Sequence, residues 1–144
     1  MNARNFNGRW GFVGLVALLV TLGGCSSTLH YAPKGSQKAP EADAKITADV
    51  DGGTSITKLS VHAEHLAPPD RLNQGGTTFV AWACKSGNAN CTRIGALKYD
   101  ADGRKGDLLE VTVPMTKFDL VISVESMPDP TAPSSTVVIS QTIG

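Results

Sequence analysis

From Ala44 onward the apolar side chains recur at every second position, and no stretch sustains the three-and-four spacing of a buried helix face. That regularity restricts the fold to sheets, because successive side chains of a strand point to opposite faces. Lys45-Ile46-Thr47-Ala48-Asp49-Val50 alternates, Asp51-Gly52-Gly53 supplies turn chemistry, and a longer alternating run follows from Thr54 to Leu66. Two strands joined by a hairpin are expected. In the second, Leu59, Val61, Ala63 and His65 share one face and Lys58, Ser60, His62 and Glu64 the other, with Leu59 and Val61 pointing inward. Pro68-Pro69 then ends the pairing, since neither residue can donate to a ladder, and a loop through Gly75-Gly76 follows.

Thr77 to Cys84 is the most hydrophobic strand. Thr78, Val80, Trp82 and Cys84 fall on one face and Phe79, Ala81 and Ala83 on the other, so both faces are covered and the strand is central. Trp82 is expected in the core between sheets, its indole N–H seeking a partner, in preference to a carbohydrate-binding surface position. Thr92 to Tyr99, Asp107 to Val113, Lys117 to Ser126 and Thr136 to Ile143 supply four more strands, the first two joined by the turn Asp100-Ala101-Asp102-Gly103. Seven short strands in about 100 residues, with a tryptophan on the third, predict an all-β fold: a single seven-stranded antiparallel immunoglobulin-like β-sandwich spanning residues 44–144.

The head of the chain is different. Arg4 and Arg9 precede an apolar run from Trp10 to Leu22, and Leu22-Gly23-Gly24-Cys25 closes it. That order is the order of a secretory signal, and its last four residues resemble a bacterial lipobox. The rival is a transmembrane anchor, which needs about 20 predominantly apolar residues; this run is shorter and interrupted by Gly11 and Gly14. The resemblance implies that residues 1–24 are a cleaved lipoprotein signal peptide. It also implies that Cys25 becomes the mature first residue, with a diacylglyceryl thioether and an amide-linked third chain. The next residue is Ser26, not the aspartate that resembles an inner-membrane retention signal in such lipoproteins, so the expected address is the outer membrane of the cell envelope, with the membrane itself as a partner. Residues 25–43 are expected to be the acylated cysteine and a flexible tether. Ser26 to Asp43 mixes Ser, Pro, Gly, Lys and acids and has no apolar period to offset the entropy of ordering it.

Charge excludes one class of partner. The chain has 13 basic and 13 acidic residues, and removing Arg4 and Arg9 with the signal leaves a slightly acidic remainder. No basic patch supports binding to nucleic acid through counterion release.

A second resemblance covers Lys58 to Gln141. His65-Leu66-Ala67-Pro68-Pro69, Thr78-Phe79-Val80-Ala81-Trp82-Ala83, Ile94-Gly95-Ala96-Leu97 and Phe118-Asp119-Leu120-Val121-Ile122-Ser123-Val124-Glu125 are similar to words in a group of small bacterial envelope β-sandwich domains, mostly of unassigned function. These are packing and turn words, so they imply the fold and not an activity.

Cys84 and Cys91 flank a short connection, and in an oxidising compartment, with Cys25 consumed by lipid, they form an even pair. A disulfide is expected. A metal site would need further ligands, and His30, His62 and His65 are the only histidines. His62-x-x-His65 puts its two rings on opposite faces of a strand, leaving His62 at most a pH-responsive surface group. Asp100-x-Asp102-Gly103 matches the opening of a calcium loop, but Lys105 and Gly106 follow where further oxygen ligands belong, so it is read as a turn. Asn90-Cys91-Thr92 matches a glycosylation sequon and is set aside for a bacterial envelope protein.

No Gly-x-Ser-x-Gly elbow or positioned Ser/His/Asp set occurs, and no metal or cofactor is implied. The expected function is a lipid-anchored, noncatalytic binding or structural module, with an accessory sandwich enzyme or a metal-handling envelope domain as the alternative. Candidate binding residues are Pro68 and Pro69, in the loop Pro68 to Gly76, and Asp129 and Pro130, in Met127 to Ser135, with an envelope protein or a glycan as partner. Prolines there either lower the ordering cost of binding or shield strand ends from pairing with other chains.

Overall fold

A computed structural model describes residues 25–144. They form β1 (Ser26–Tyr31), β2 (Asp43–Asp51), β3 (Ile56–Glu64), a single helical turn α1 (Pro69–Leu72), β4 (Thr78–Ser86), β5 (Ala89–Ala96), β6 (Lys98–Asp100), β7 (Lys105–Val113), β8 (Phe118–Glu125) and β9 (Val137–Ile143). One sheet has the order β1-β2-β3-β7-β6 and the other β5-β4-β8-β9, with every neighbouring pair antiparallel. The result is a β-sandwich-like, all-β fold. The expected signal peptide, with Arg4, Arg9 and the run Trp10 to Leu22, lies outside the described residues.

The core between the sheets is built as the alternation predicts. Ile46 and Ala48 of β2 and Leu59, Val61 and Ala63 of β3 meet Phe79, Ala81 and Ala83 of β4 and Leu120, Ile122 and Val124 of β8 in one buried cluster. Asp51 makes the β2–β3 turn by accepting the Gly53 and Thr54 N–H groups on Oδ1 and the Thr54 hydroxyl on Oδ2. Cys84 and Cys91 face each other across β4 and β5 and are joined as a disulfide.

The strands number nine among the described residues, not seven. One addition overturns the flexible tether: Ser26–Tyr31 pairs with β2 through a continuous register from Ser26↔Asp51 to Tyr31↔Ile46. The segment that follows is folded too. Gly35 N–H donates to Ala42 O at 2.6 Å, Ser36 N–H donates to Val138 O at 2.8 Å, and Ala39 and Ala42 are buried. A Cβ on Gly35 would stand 1.9 Å from Ala39 O, so only glycine fits there. Backbone hydrogen bonds and small buried side chains order this stretch, and neither leaves an apolar period to read.

The other addition comes from a change of sheet. The stretch expected as one strand from Thr92 to Tyr99 is β5 in one sheet and β6 in the other. Leu97, at the crossing, turns inward and donates its N–H to Phe79 O, and the Tyr99 ring meets Phe79 edge-on with centroids 5.2 Å apart. One aromatic pair thereby ties the two sheets together at their open side.

Trp82 is wholly buried, but not between the sheets. It belongs with Val80, Cys84 and Val121 to a second small cluster on the outward face of the β5-β4-β8-β9 sheet. His65 also departs from its expected face. The strand ends at Glu64, and His65 is exposed in the left-handed region at φ 58°.

Candidate functional site

The antiparallel registers sort the connections to two ends. Cys25, the turns 52–55 and 87–88 and the turn 114–117 lie at one end; the segment 32–42, the α1 loop, the turn 101–104 and the β8–β9 connection 126–136 lie at the other. A nine-residue strand separates them by about 30 Å. Both candidate loops are at the end far from Cys25.

They also adjoin. Thr77 N–H donates to Glu125 O at 2.8 Å, which places the end of the α1 loop against the start of the β8–β9 connection. Pro69 is buried at the first position of α1, where its missing N–H costs nothing, and Pro68 is half-buried. Asp129 is exposed and lies 3.2 Å from the Arg93 guanidinium; Pro130 is half-buried. Of the four candidate residues, Asp129 is therefore the most open to a partner, and Pro69 acts in packing.

The β8–β9 connection is the roof of the second cluster. It leaves β8 at Glu125, reaches β5, where Arg93 Nε donates to Pro128 O at 2.8 Å, and returns to β9. β4 lies between β5 and β8, so the connection crosses β4 above Trp82, which stands opposite Arg93. Beneath it the Trp82 indole N–H donates to Ser123 Oγ at 2.9 Å, the Ser123 hydroxyl donates to Glu125 Oε1, and the same oxygen accepts the Ser134 N–H at 2.8 Å. Ser134 Oγ completes the join by donating to Val124 O. The indole partner expected from sequence is thus a serine on the neighbouring strand, held by a buried carboxylate.

Beside the loops is a cavity of about 230 Å³ lined by Lys38, Ala39, Pro40, Glu41, Ala42, His65, Ala67, Leu72 and Arg104. Its floor is apolar and its rim charged. Arg104 donates from Nη2 to Glu41 Oε2 and to His65 O, both at 3.1 Å, and from Nε to Leu66 O at 3.2 Å. The Leu66 N–H returns a bond to Arg104 O at 3.0 Å. His65 and Arg104 are both left-handed, φ 58° and 52°, a conformation that costs a non-glycine residue energy and is held here by these reciprocal bonds. His65 Nδ1 lies 2.8 Å from Asp43 Oδ1, and that hydrogen bond holds the Asp43 carboxyl below its ordinary range. Sequence reasoning passed over Lys38, Glu41 and Arg104 because the first two lay in the supposed tether and the third in a turn.

His62 lies elsewhere, on the outward face of the other sheet, exposed and 2.8 Å from Asp107 Oδ1. Among the described residues no three His, Cys, Asp or Glu side chains gather to hold a metal ion. No family model, curated protein or solved structure matches the chain.

Proposed function

We propose that this chain is a lipid-anchored, noncatalytic module of the bacterial cell envelope. It is made with a signal peptide over residues 1–24, acylated at Cys25 and held at the outer membrane. Its folded part is an immunoglobulin-like sandwich that offers its far-end loops to an envelope protein or a glycan. The observation that carries the binding role is the separation of the two ends: the residue that would bear the lipid stands at one, and the cavity, Asp129 and the α1 loop stand together at the other. An anchor there leaves the opposite loops free to meet a partner. The strand order supports the immunoglobulin-like reading, with β2-β3-β7-β6 opposed to β5-β4-β8-β9. Two or more acyl chains hold a protein stably on a bilayer, where a single chain does so only marginally.

Labelled fatty acid tests the anchor. Wild-type protein incorporates it and stays with the washed outer membrane through high salt, while Cys25→Ser gives an uncleaved or soluble precursor absent from that fraction; no incorporation by the wild type refutes the proposal. Photo-crosslinking groups at Glu41 and Thr131 in cells then capture one envelope partner. Stoichiometric metal in the purified protein, or turnover on a hydrolase panel, points instead to the metal-handling or enzymatic alternative.

A further inference from the structure

The pairing of β1 removes the slack that a tether would give. Strand pairing begins at Ser26, the residue after Cys25, and the Cys25 carbonyl oxygen lies 3.9 Å from the position a Cβ would take on Gly52. An acyl group on Cys25 would therefore hold the sandwich by its own first strand, against the β2–β3 turn, instead of letting it range over tens of ångströms.

The turns that share that end are suited to what they would meet. Residues 52–55 read Gly-Gly-Thr-Ser, residues 87–88 read Gly-Asn and residues 114–117 read Pro-Met-Thr-Lys, with no carboxylate among them. The flanking acids are turned inward on local donors. Asp51 is occupied by Gly53 and Thr54, and Asp119 accepts the Gly87 N–H at 2.7 Å and the Thr142 hydroxyl at 2.6 Å. Lys85 and Lys117 are exposed and form no ion pair among the described residues. The far end differs: its connections mix the carboxylates Glu41, Asp70, Asp102 and Asp129 with the cations Lys34, Lys38, Arg71 and Arg104. One end thus offers small turns free of carboxylates beside two exposed lysines, and the other offers charge of both signs.

We propose, resting on the acylation of Cys25 argued above, that the Cys25 end is a membrane-facing surface. Its turns lie against the phosphate-bearing headgroup layer of the bilayer that holds the acyl chains, with Lys85 and Lys117 at the lipid phosphates. The strands then lead away from the membrane, and the far-end cavity stands about a strand length above it. Lysines near an anionic surface are attracted to it strongly enough to bias an already anchored domain towards one orientation.

The test uses the full acylated chain in vesicles of phosphatidylethanolamine and phosphatidylglycerol, with a benzophenone amino acid placed in turn at Ser55, Asn88, Asp102 and Thr131. Radiolabelled lipid is captured from Ser55 and Asn88 and scarcely from Asp102 or Thr131. Lys85→Glu combined with Lys117→Glu lowers the capture at Ser55 by about fivefold or more. Equal capture at all four sites overturns the inference, and capture unchanged by the double charge reversal overturns the role of the lysines. The mass of the N-terminal peptide is read on the same samples. An unacylated peptide refutes the anchor itself, and the orientation with it, whereas an acylated peptide with uniform capture refutes the orientation alone.

Discussion

The two outward faces of the sandwich obey the same antiparallel geometry and have opposite fates. On the β1-β2-β3-β7-β6 sheet the outward side chains are Thr28, Lys45, Asp49, Lys58 and His62, and they meet water. On the β5-β4-β8-β9 sheet they are Val80, Trp82, Cys84, Val121, Ser123 and Glu125, and they are buried. The difference lies in one connection. The β2–β3 turn is short and stays at its end, while the β8–β9 connection runs from β8 over β4 to Arg93 and covers what it crosses. A sandwich of this size thereby acquires a second, satellite core. A loop, not a third layer of secondary structure, supplies its outer wall.

That comparison can be broken most forcefully at Trp82. Trp82→Ala removes the body of the satellite core and should cost about 3 to 5 kcal/mol, comparable to the whole stability of a small domain. Trp82→Phe should be milder. His62→Ala on the solvated face should stay within about 0.5 kcal/mol. Urea denaturation of the three variants measures the contrast, and equal losses at Trp82 and His62 would erase it.

The disulfide comes next. Cys84→Ser with Cys91→Ser opens a connection between residues only 7 apart and should lower stability by about 2 kcal/mol without unfolding the domain. Non-reducing mass analysis of protein isolated from cells checks that the bond is present there.

A smaller effect sharpens the part played by the roof. Ser123→Ala leaves the Trp82 N–H without its partner and frees one bond of Glu125, for a loss of about 1 to 3 kcal/mol. Hydrogen exchange should quicken at Ser134, whose N–H is held by Glu125, while amides of β2 and β3 keep their protection.

The smallest effect is that of pH. Hydrogen bonds from His65 to Asp43, from Thr54 and Gly53 to Asp51, and from Thr142 and Gly87 to Asp119 lower all three carboxyl pKa values below the ordinary 3.8. A lowered folded-state pKa means that the unfolded chain binds protons first. The stabilisation is therefore complete above the ordinary value and is lost as pH falls through the folded ones. Because these groups are open to solvent, the denaturation midpoint should decline only gently below about pH 4, and Asp119→Asn should flatten part of the decline.

Much of this architecture is legible in the sequence, because period two survives wherever one face is dry. Leu59 and Val61 declare the inward face of β3, and Asp51-Gly52-Gly53 declares its hairpin. Alternation names two faces but does not say which looks at the other sheet, and β4 is apolar on both. Alternation alone therefore cannot place Trp82 in the satellite core instead of the larger one. What decides its side is the path of residues 126–136, whose prolines and serines carry no periodic signal. The same blindness hid β1, whose pairing rests on backbone bonds and a Thr28–Asp49 contact at 2.6 Å. It also hid the floor of the cavity, since Ala39 and Ala42 bury too little surface to announce themselves. Of the far-end site, Pro68, Pro69, Asp129 and Pro130 are legible because proline-rich loops interrupt the alternation there. Glu41 and Arg104 become neighbours only through long-range closure, which local spacing does not record.

The clasp between Ser36 and β9 has a consequence for the order in which the molecule comes into being. The Ser36 hydroxyl donates to Val137 O across 101 residues of chain. Residues 33–42 precede their partner by most of the chain, and closing so wide a gap is slow compared with forming a neighbouring hairpin. β1, β2 and β3 can pair as soon as they are free to fold, but the wall that seats Ala39 and Ala42 must wait for the last strand. The cavity is thus among the last features of the fold to be finished, and a chain cut short before β9 would arrive with its sheets begun and its far end still unmade.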